Sequence, residues 1–330
     1  MPTHASRAVD RGPLWLGMLV LYLVWGSTYL GIAIAVETIP PFLMAAVRFS
    51  LAGLALGLWS VARAGGGSVL PTRREWRDSA IVGGLLLGGG MGMVAWGEQT
   101  IPSGIAALLV ALMPVWVAVL GRAFLGERLP WVAALGVVIG FAGVGILVGP
   151  TILGETGSLE PFGLVAIMLS PISWTAGSLF ASHRAVLPRH ALIATSAQML
   201  AGSLVLLLLS LGTGEFGRLD LPAISADSMI ALAYLTIVGS LLAFTVYGWL
   251  LRVAPLPLIA TYAYVNPVVA VILGALFRNE PIDGRTLVAG AVIVAAVALI
   301  VTARGRMHAP QRRPEAPARA DRRPGEAGAS

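Results

Sequence analysis

Residues 96–127 read WGEQTIPSGIAALLVALMPVWVAVLGRAFLGE, and residues 249–280 read WLLRVAPLPLIATYAYVNPVVAVILGALFRNE. A gap-free shift of 153 residues aligns the two stretches, and a repeat at about half the chain length indicates an internal duplication. Each copy is apolar for about 20 residues, a length that suits one bilayer crossing, and ends at an acid. The matched residues are Trp96 with Trp249, Pro102 with Pro255, Pro114 with Pro267, Gly121 with Gly274, Phe124 with Phe277 and Glu127 with Glu280.

The composition indicates a polytopic membrane protein. The 330 residues are 57% hydrophobic and 12% charged, whereas a soluble domain carries about 25% charged residues. The chain has no cysteine, which excludes disulfides and thiolate-ligated metals. Its four histidines form no spaced pair on an apolar helix, so we expect no metal and no other cofactor.

Ten apolar runs have the length of membrane-spanning helices, five on each side of an acidic loop that lacks arginine. They predict an all-α polytopic membrane protein with ten transmembrane helices. Its predicted parts are an N-terminal segment (1–12), a first five-helix repeat (13–149), an external linker (150–161), a second five-helix repeat (162–303) and a disordered basic tail (304–330). The runs cover 13–36, 41–62, 79–99, 103–124, 131–148, 162–182, 191–211, 227–251, 256–277 and 286–303.

The arginines lie mainly on one side of this predicted topology. All 22 basic residues are arginine, and with the N-terminus inside, only Arg218, Arg278 and Arg285 fall in outside loops. This positive-inside bias predicts a multi-pass protein of the cell membrane with both termini in the cytoplasm. The arginines that give the chain its pI of about 10.4 are thus predicted to lie at the cytoplasmic lipid surface. This placement disfavours a nucleic-acid partner.

Five helices in each copy place the second copy in the membrane upside down relative to the first. Two inverted five-helix repeats around a central cavity are the architecture of many secondary transporters. The sequence contains no GxxxxGK[ST] phosphate loop, so nothing in it indicates that ATP drives the transport.

Several short motifs occur in a fixed order along the chain. They are VWGSTY at 24–29, PPF at 40–42 before RF at 48–49, Gln99 before PSGIAALL at 102–109, Pro114 before GE at 126–127, and NP at 266–267 before Glu280. In this order and spacing they resemble the EamA family of the drug/metabolite transporter superfamily. The resemblance covers about residues 13–303 and implies ten helices, a central cavity and mostly export of small metabolites. The second repeat departs from the family pattern, since SPISW at 170–174 replaces the first-helix motif.

Two ionisable residues at the membrane are candidates for function. Arg48 lies within the second helix and is interpreted as an anion-facing or gating residue, or as half of an ion pair with Glu37 or Glu98. Glu98 ends the third helix. It is either a carboxylate whose pKa is raised by an apolar cavity, able to exchange protons, or a solvated acid at the interface.

Aromatic and polar side chains on the predicted helices are expected to line the cavity. Trp25 and Tyr29 share one helix face, as do Tyr262 and Asn266, because each pair is spaced i, i+4. Such walls suit amphipathic or aromatic molecules, although interfacial belts and helix packing also use these residue types. The predicted substrate-binding residues are Trp25, Ser27, Thr28, Tyr29, Arg48, Trp96, Glu98, Trp116, Trp174, Ser178, Tyr247, Tyr262, Tyr264 and Asn266.

Three further features are predicted to have mechanical roles. Pro114 and Pro267 lie in the middle of apolar runs and are interpreted as hinges, with static kinks as the alternative. Glu127 and Glu280 are expected to cap helices or fix loops. The glycines at 83–84 and 88–90 predict close helix packing, with Gly84 and Gly88 as a small-xxx-small pair.

The function predicted from these patterns is a secondary transporter that exports small organic metabolites, such as amino acids, or amphipathic xenobiotics by alternating access. Proton coupling and facilitated diffusion both stay open. An integral-membrane enzyme and a non-transporting scaffold are the alternatives from other classes. The expected partners are a small-molecule substrate and the lipid bilayer, with protons as a third candidate. The oligomeric state is left open, a monomer included.

Overall fold

The computed structural model describes residues 11–64, 70–127, 129–153, 159–254, 256–259 and 261–307. Within these ranges the chain is helical, with two π-helical segments, π1 (Gly84–Met91) and π2 (Leu235–Leu242), and one short 3-10 turn (Leu221–Ala223). The α-helices are α1 (Arg11–Ala35), α2 (Pro41–Ala64), α3 (Arg73–Gly83), α4 (Gly92–Gly97), α5 (Ser103–Val110), α6 (Met113–Leu125), α7 (Trp131–Ile152), α8 (Pro161–His183), α9 (Ala191–Gly212), α10 (Glu215–Arg218), α11 (Ala226–Tyr234), α12 (Ala243–Val253), α13 (Leu256–Ile259), α14 (Tyr262–Arg278) and α15 (Gly284–Met307).

The predicted all-α fold with ten membrane crossings is confirmed. Nine helical segments of the described chain are long and apolar enough to cross a bilayer. The tenth crossing consists of the shorter α14 together with α13. Helix α7 continues to Ile152 and α15 to Met307, past the ends predicted for the two repeats. Residues 1–10 of the predicted N-terminal segment, 154–158 of the linker and 308–330 of the tail lie outside the described residues.

Four of the ten spans are irregular in the middle, and they form two equivalent pairs. Span three contains π1 between α3 and α4, and span eight contains π2 between α11 and α12. Span four is broken between α5 and α6, and span nine between α13 and α14. Interruptions of this kind loosen the regular backbone hydrogen bonding and are frequent at functional sites. The duplication seen in the sequence thus extends to the irregular backbone.

The described residues of the loops after spans one, three, five, seven and nine meet at one end of the helix bundle, here called the odd-loop end (residues 36–40, 98–102, 153, 159–160, 213–225 and 279–283). The backbone N–H of Ser225 donates to Thr38 Oγ1 at 3.1 Å, and that of Ser103 donates to Glu280 Oε1 at 2.9 Å. The first and third loops of the first repeat therefore share an end with the second and fourth loops of the second repeat. This arrangement is an inverted repeat.

The two repeats pack through equivalent elements. Helix α2 packs along its equivalent α9, and α7 packs along its equivalent α15. The contact of α1 with α14 is matched by the contact of α8 with α6. These pairings relate the two repeats by a two-fold arrangement. The middle parts of the remaining spans then face one another.

The closest approach between spans three and seven lies at Gly83, whose added Cβ would overlap the carbonyl oxygen of Gln198. The structure therefore confirms the predicted close packing of the glycine-rich stretch. The tightest of these glycines against span seven, however, is Gly83. Of the predicted Gly84–Gly88 pair, Gly88 is also tight, since a Cβ there would lie 2.8 Å from a methyl carbon of Val205, whereas at Gly84 a Cβ would meet only a methyl carbon of Val205 at an ordinary 3.5 Å.

Gly83→Ala is expected to lower the yield and the thermal unfolding midpoint of the protein in detergent, whereas Gly84→Ala is not. Both changes add the same methyl group at neighbouring helical positions and gain the same helix propensity, up to about 1 kcal/mol. Only the first forces two backbones apart. Fluorescence-detected gel filtration after heating measures both variants. Equal midpoints would contradict the close approach at Gly83.

Candidate functional site

A cavity lies between the two repeats, at mid-height of the helix bundle. Residues of spans one to four, six, eight and nine line it, and π1, π2 and the break in span four all reach it. The space between the lining side chains, counted with its opening, is about 770 Å³. The lining residues are Trp25, Thr28, Tyr29, Ile32, Arg48, Phe49, Leu87, Met91, Val94, Val110, Met113, Ser170, Trp174, Gly239, Phe244, Tyr262 and Asn266.

Half of the substrate-binding residues predicted from the sequence meet in this cavity. The indole of Trp25 lies at the centre of the aromatic group, 5.0 Å from the ring of Tyr262 and 5.7 Å from that of Phe244. Both contacts are edge-to-face, the geometry that aromatic quadrupoles favour. The predicted residues that line the cavity are Trp25, Thr28, Tyr29, Arg48, Trp174, Tyr262 and Asn266.

Four predicted aromatic residues lie outside the lining and serve as packing. Tyr247 stands behind Trp25 with the ring centroids 5.2 Å apart, and Trp116 packs edge-on against Phe141 at 5.6 Å. Trp96 and Tyr264 are partly buried against two separate apolar clusters. For these four residues the packing interpretation fits the structure better than substrate contact.

The two predicted serines outside the lining are bound to backbone carbonyls. Ser27 Oγ donates to Val24 O at 2.9 Å and also hydrogen-bonds the hydroxyl of Tyr234. Ser178 Oγ donates to Trp174 O at 2.9 Å. Serine in an apolar helix commonly satisfies its hydroxyl in this way, so neither residue has a donor directed into the cavity.

Ten lining residues were not predicted from the sequence. Most are aliphatic, and an apolar residue in an apolar helix carries no signal that separates a cavity wall from a packing contact. Phe49 had a usable signal, because it directly follows Arg48 in the RF motif. The residues are Ile32, Phe49, Leu87, Met91, Val94, Val110, Met113, Ser170, Gly239 and Phe244.

Arg48 is a buried cation at the wall of the cavity, with a side chain only 3% exposed. Its Nε donates to Ser240 Oγ of π2 at 3.0 Å, and its guanidinium carbon lies 4.8 Å from the ring centroid of Phe49. Within the described residues no carboxylate forms an ion pair with Arg48. The predicted alternative of a pair with Glu37 does not occur, because Glu37 pairs with Arg278.

Glu98 directly follows span three at the odd-loop end and is 5% exposed. Neither of its carboxylate oxygens has a hydrogen-bond partner. Burial raises the pKa of Glu98 well above 4.5, the neighbouring charge of Glu280 raises it further, and Arg278 lowers it. Glu98 lies one helical turn after Val94, a cavity residue, and its backbone N–H donates to Val94 O at 2.9 Å. It is therefore a buried acid close to the cavity wall, and the interpretation as a solvated interfacial acid is not supported.

Glu280 closes the odd-loop end by capping a helix of the other repeat. Its carboxylate accepts from the backbone N–H groups of Ser103 and Gly104 at 2.9 and 3.0 Å and from Ser103 Oγ at 2.8 Å. These N–H groups form the first turn of α5, where a carboxylate also gains from the helix dipole. The predicted capping role of Glu280 is confirmed, and its target lies 177 residues earlier in the chain.

A second acid makes an equivalent cap. Glu215, which is 1% exposed, accepts from the backbone N–H groups of Phe42 at 3.1 Å and Leu43 at 2.8 Å, in the first turn of α2. Two carboxylates of the second repeat thus hold two helices of the first at the same end. Acids that bind helix N-termini here are not available to neutralise Arg48.

The two predicted hinge prolines occupy different positions in their helices. Pro267 lies inside α14, as predicted, and removes one hydrogen bond within that helix. Pro114 lies in the middle of span four but in the first turn of α6, directly after the break at Ala111–Leu112. Proline is well tolerated there because the first-turn N–H groups have no intrahelical partner. Pro114 therefore does not kink a continuous helix, and its interpretation as a hinge stays a prediction.

Known proteins similar to this chain share its length and its membrane character. The uncharacterized inner membrane transporter YedA of Escherichia coli strain K12 is 39% identical over 293 residues, which are 87% of this chain and 90% of YedA. The uncharacterized transporter YvbV of Bacillus subtilis strain 168 is 24% identical over 293 residues, covering 88% of this chain and 92% of YvbV.

A solved crystal structure, 20% identical, matches with a TM-score of 0.60 and covers 89% of this chain and 98% of its own. At this identity the likeness shows the fold alone. The sequence model of the EamA-like transporter family matches residues 12–149 and 161–302, which together are nearly all of the helical chain. This chain is a multi-pass membrane protein that belongs to the EamA-like transporter family.

Proposed function

We propose that the protein is a secondary transporter that exports small organic metabolites or amphipathic xenobiotics by alternating access, with proton coupling through Glu98. The observation that carries the proposal is the cavity between two inverted repeats, lined by aromatic side chains and reached by both π-helical segments. Inverted repeats supply two related gates around one site, each of which closes one side. The odd-loop end is the external side in this proposal, and both termini are cytoplasmic.

The contacts at the odd-loop end support a state that is closed on that side. At the odd-loop end, Glu280 and Glu215 join helices of the two repeats, and Arg278 pairs with Glu37. For the external side to open, such contacts between repeats must break while the cavity stays intact. The interruptions in spans three, four, eight and nine are suited to this motion, because they divide each span at the cavity.

Saturable transport with acceleration by substrate on the opposite side is expected in proteoliposomes. That acceleration is the kinetic signature of a carrier whose loaded form reorients faster than its empty form, and a channel does not show it. A panel of radiolabelled metabolites and aromatic drugs, assayed with and without a pH gradient, measures it. Flux that rises linearly with concentration would contradict alternating access. No flux for any compound would favour a scaffold.

Trp25→Ala is expected to raise the transport KM about tenfold or more, while Trp15→Ala leaves it unchanged. Both tryptophans lie on α1, but Trp25 lines the cavity and Trp15 is 55% exposed on the outside of the bundle. Removal of an aromatic wall costs affinity of this order. Concentration-dependent uptake by each variant measures the KM. Equal values would show that the cavity is not the transport site.

A further inference from the structure

Among the described residues that line the cavity, Arg48 is the one charged side chain. The described part of the wall contains no aspartate or glutamate, and its other polar members are hydroxyl and amide groups such as Thr28, Ser170 and Asn266. The described lining therefore carries a single fixed positive charge and no fixed negative charge. A ligand with an ammonium group finds no counter-charge there.

The guanidinium of Arg48 is held in place before any ligand binds. Its Nε donates to Ser240 of span eight, one face lies against Phe49, and Gly239 permits its approach, since a Cβ on Gly239 would lie 3.3 Å from Nη2. Arginine presents its remaining N–H groups as a planar fork that matches a carboxylate. Because Phe49 of span two and Ser240 of span eight already hold this guanidinium, it loses little conformational freedom when a ligand binds it.

Acids of the odd-loop end do not pair with Arg48, and three of them are bound to other groups. Glu215 binds the N-terminus of α2, Glu37 pairs with Arg278, and Glu280 binds the N-terminus of α5. Glu98 is buried at the odd-loop end, near Glu280 and Arg278. A buried arginine is costly in a membrane span. Such residues are usually paired, so this one has an unmet demand for a negative charge.

We propose that the cavity selects organic monoanions, with the carboxylate of the cargo on Arg48 and its apolar or aromatic body against Trp25, Trp174 and Tyr262. The inference rests on the proposed transport function and narrows its cargo. It excludes cationic drugs, and it disfavours zwitterionic amino acids because their ammonium group would be buried without an acid.

The test is a set of four matched ligands that differ in charge: phenylacetate, phenylacetamide, phenethylamine and phenylalanine. Binding to the purified full-length protein in detergent is measured by isothermal titration calorimetry. Phenylacetate is expected to bind about tenfold or more tightly than phenylacetamide, because charge-assisted bidentate hydrogen bonds are the strong ones. Phenylalanine and phenethylamine are expected to bind more weakly than phenylacetate.

Arg48→Gln is expected to reduce the affinity for phenylacetate to that for phenylacetamide, and Arg48→Lys to retain part of the preference. Arg63→Gln is the matched control. It removes a second arginine of α2, which also lies over an aromatic ring, that of Trp59, but outside the cavity. Gel filtration verifies folding. If Arg48→Gln is unfolded, the comparison of phenylacetate with phenylacetamide on the wild type still tests the anion proposal.

Equal affinity of the wild type for phenylacetate and phenylacetamide, or tightest binding of phenethylamine, would overturn the anion proposal. Uptake of the same four compounds into proteoliposomes separates this outcome from a failure of the transport function. Selective binding of phenylacetate without saturable uptake would overturn transport and leave the anion site. Saturable uptake with no preference for the anion would overturn the anion site and leave the transport function.

Discussion

Glu98→Gln is expected to reduce uptake driven by a pH gradient tenfold or more, while substrate exchange at equal pH continues. A tenfold reduction corresponds to about 1.4 kcal/mol. The carboxylate is buried without a hydrogen-bond partner when the odd-loop end is closed. Burying it as an anion would cost several kcal/mol, whereas its neutral form is tolerated. In the proposed mechanism, closing is therefore coupled to uptake of a proton, and glutamine mimics the protonated state permanently.

The sign of the pH effect follows from the direction of the pKa shift. Closing raises the pKa of Glu98 above 4.5 by burial, aided by the charge of Glu280 and opposed by that of Arg278. A raised carboxylate pKa disfavours the closed form as pH rises above 4.5, and the penalty is complete only above the raised pKa. The odd-loop end is thus expected to open more often at high pH.

A cysteine placed at the closed end reads this opening directly, since the natural chain has none. Ile101→Cys is buried in the closed state, with 2% of the side chain exposed, and Gln99→Cys is exposed throughout. Labelling at Ile101→Cys by a membrane-impermeant thiol reagent, normalised to Gln99→Cys at each pH, is expected to increase with pH. Glu98→Gln should remove that increase.

Glu160→Gln is the matched control for the pH effect. Glu160 also lies at the odd-loop end, but hydrogen bonds from the backbone N–H groups of Gly163 and Phe162 hold its pKa below the usual range. It stays ionised over the pH range of the assay, so its replacement should leave the pH dependence unchanged. Loss of the pH effect in Glu160→Gln, or its survival in Glu98→Gln, would contradict the assignment to Glu98.

Much of the architecture could be predicted because bilayers impose long apolar helices. Runs such as 41–62 differ from α2 (Pro41–Ala64) by only two residues. The inversion followed from an odd number of helices per copy and from the arginines. The π-helical segments could not be predicted, since α- and π-helical backbones have the same hydropathy. The local choice at Gly84–Met91 depends on packing against α8 and α9.

Residues that line the cavity could be predicted from the sequence where their residue type is costly in lipid. They were missed where the residue type carries no such cost. Arg48 stood out because a cation must be accommodated, and the structure places it on the cavity. The sequence could not show its partner, since Ser240 lies 192 residues away. Tryptophan and tyrosine were ambiguous, because Trp25 lines the cavity while Trp116 packs against Phe141.

Glu280→Ala is expected to lower the thermal unfolding midpoint by about 5 °C and to open the odd-loop end. The carboxylate accepts three hydrogen bonds at the start of α5, each worth about 1.5–3 kcal/mol when one partner is charged and buried. Its side chain is 13% exposed, so water replaces these bonds only in part. A net loss near 3 kcal/mol corresponds to a shift of this size in a large domain.

A graded series separates the cap from a general effect of removing an acid. Ser103→Ala removes one of the three hydrogen bonds, and Glu280→Gln keeps an acceptor but brings an amide N–H against a backbone N–H. The thermal unfolding midpoint should be highest for Ser103→Ala, lower for Glu280→Gln and lowest for Glu280→Ala. The double variant Ser103→Ala, Glu280→Ala should be no worse than Glu280→Ala, because the two residues share one interaction.

Opening of the odd-loop end follows from where the cap lies, because Glu280 belongs to the second repeat and α5 to the first. In the proposed alternating-access cycle, loss of the cap removes a contact made only in the closed arrangement, so the equilibrium is expected to shift toward opening as well as toward unfolding. Thiol labelling at Ile101→Cys should therefore rise in Glu280→Ala at temperatures well below the midpoint. Increased labelling only near the midpoint would mean that Glu280 stabilises the fold without acting as part of a gate.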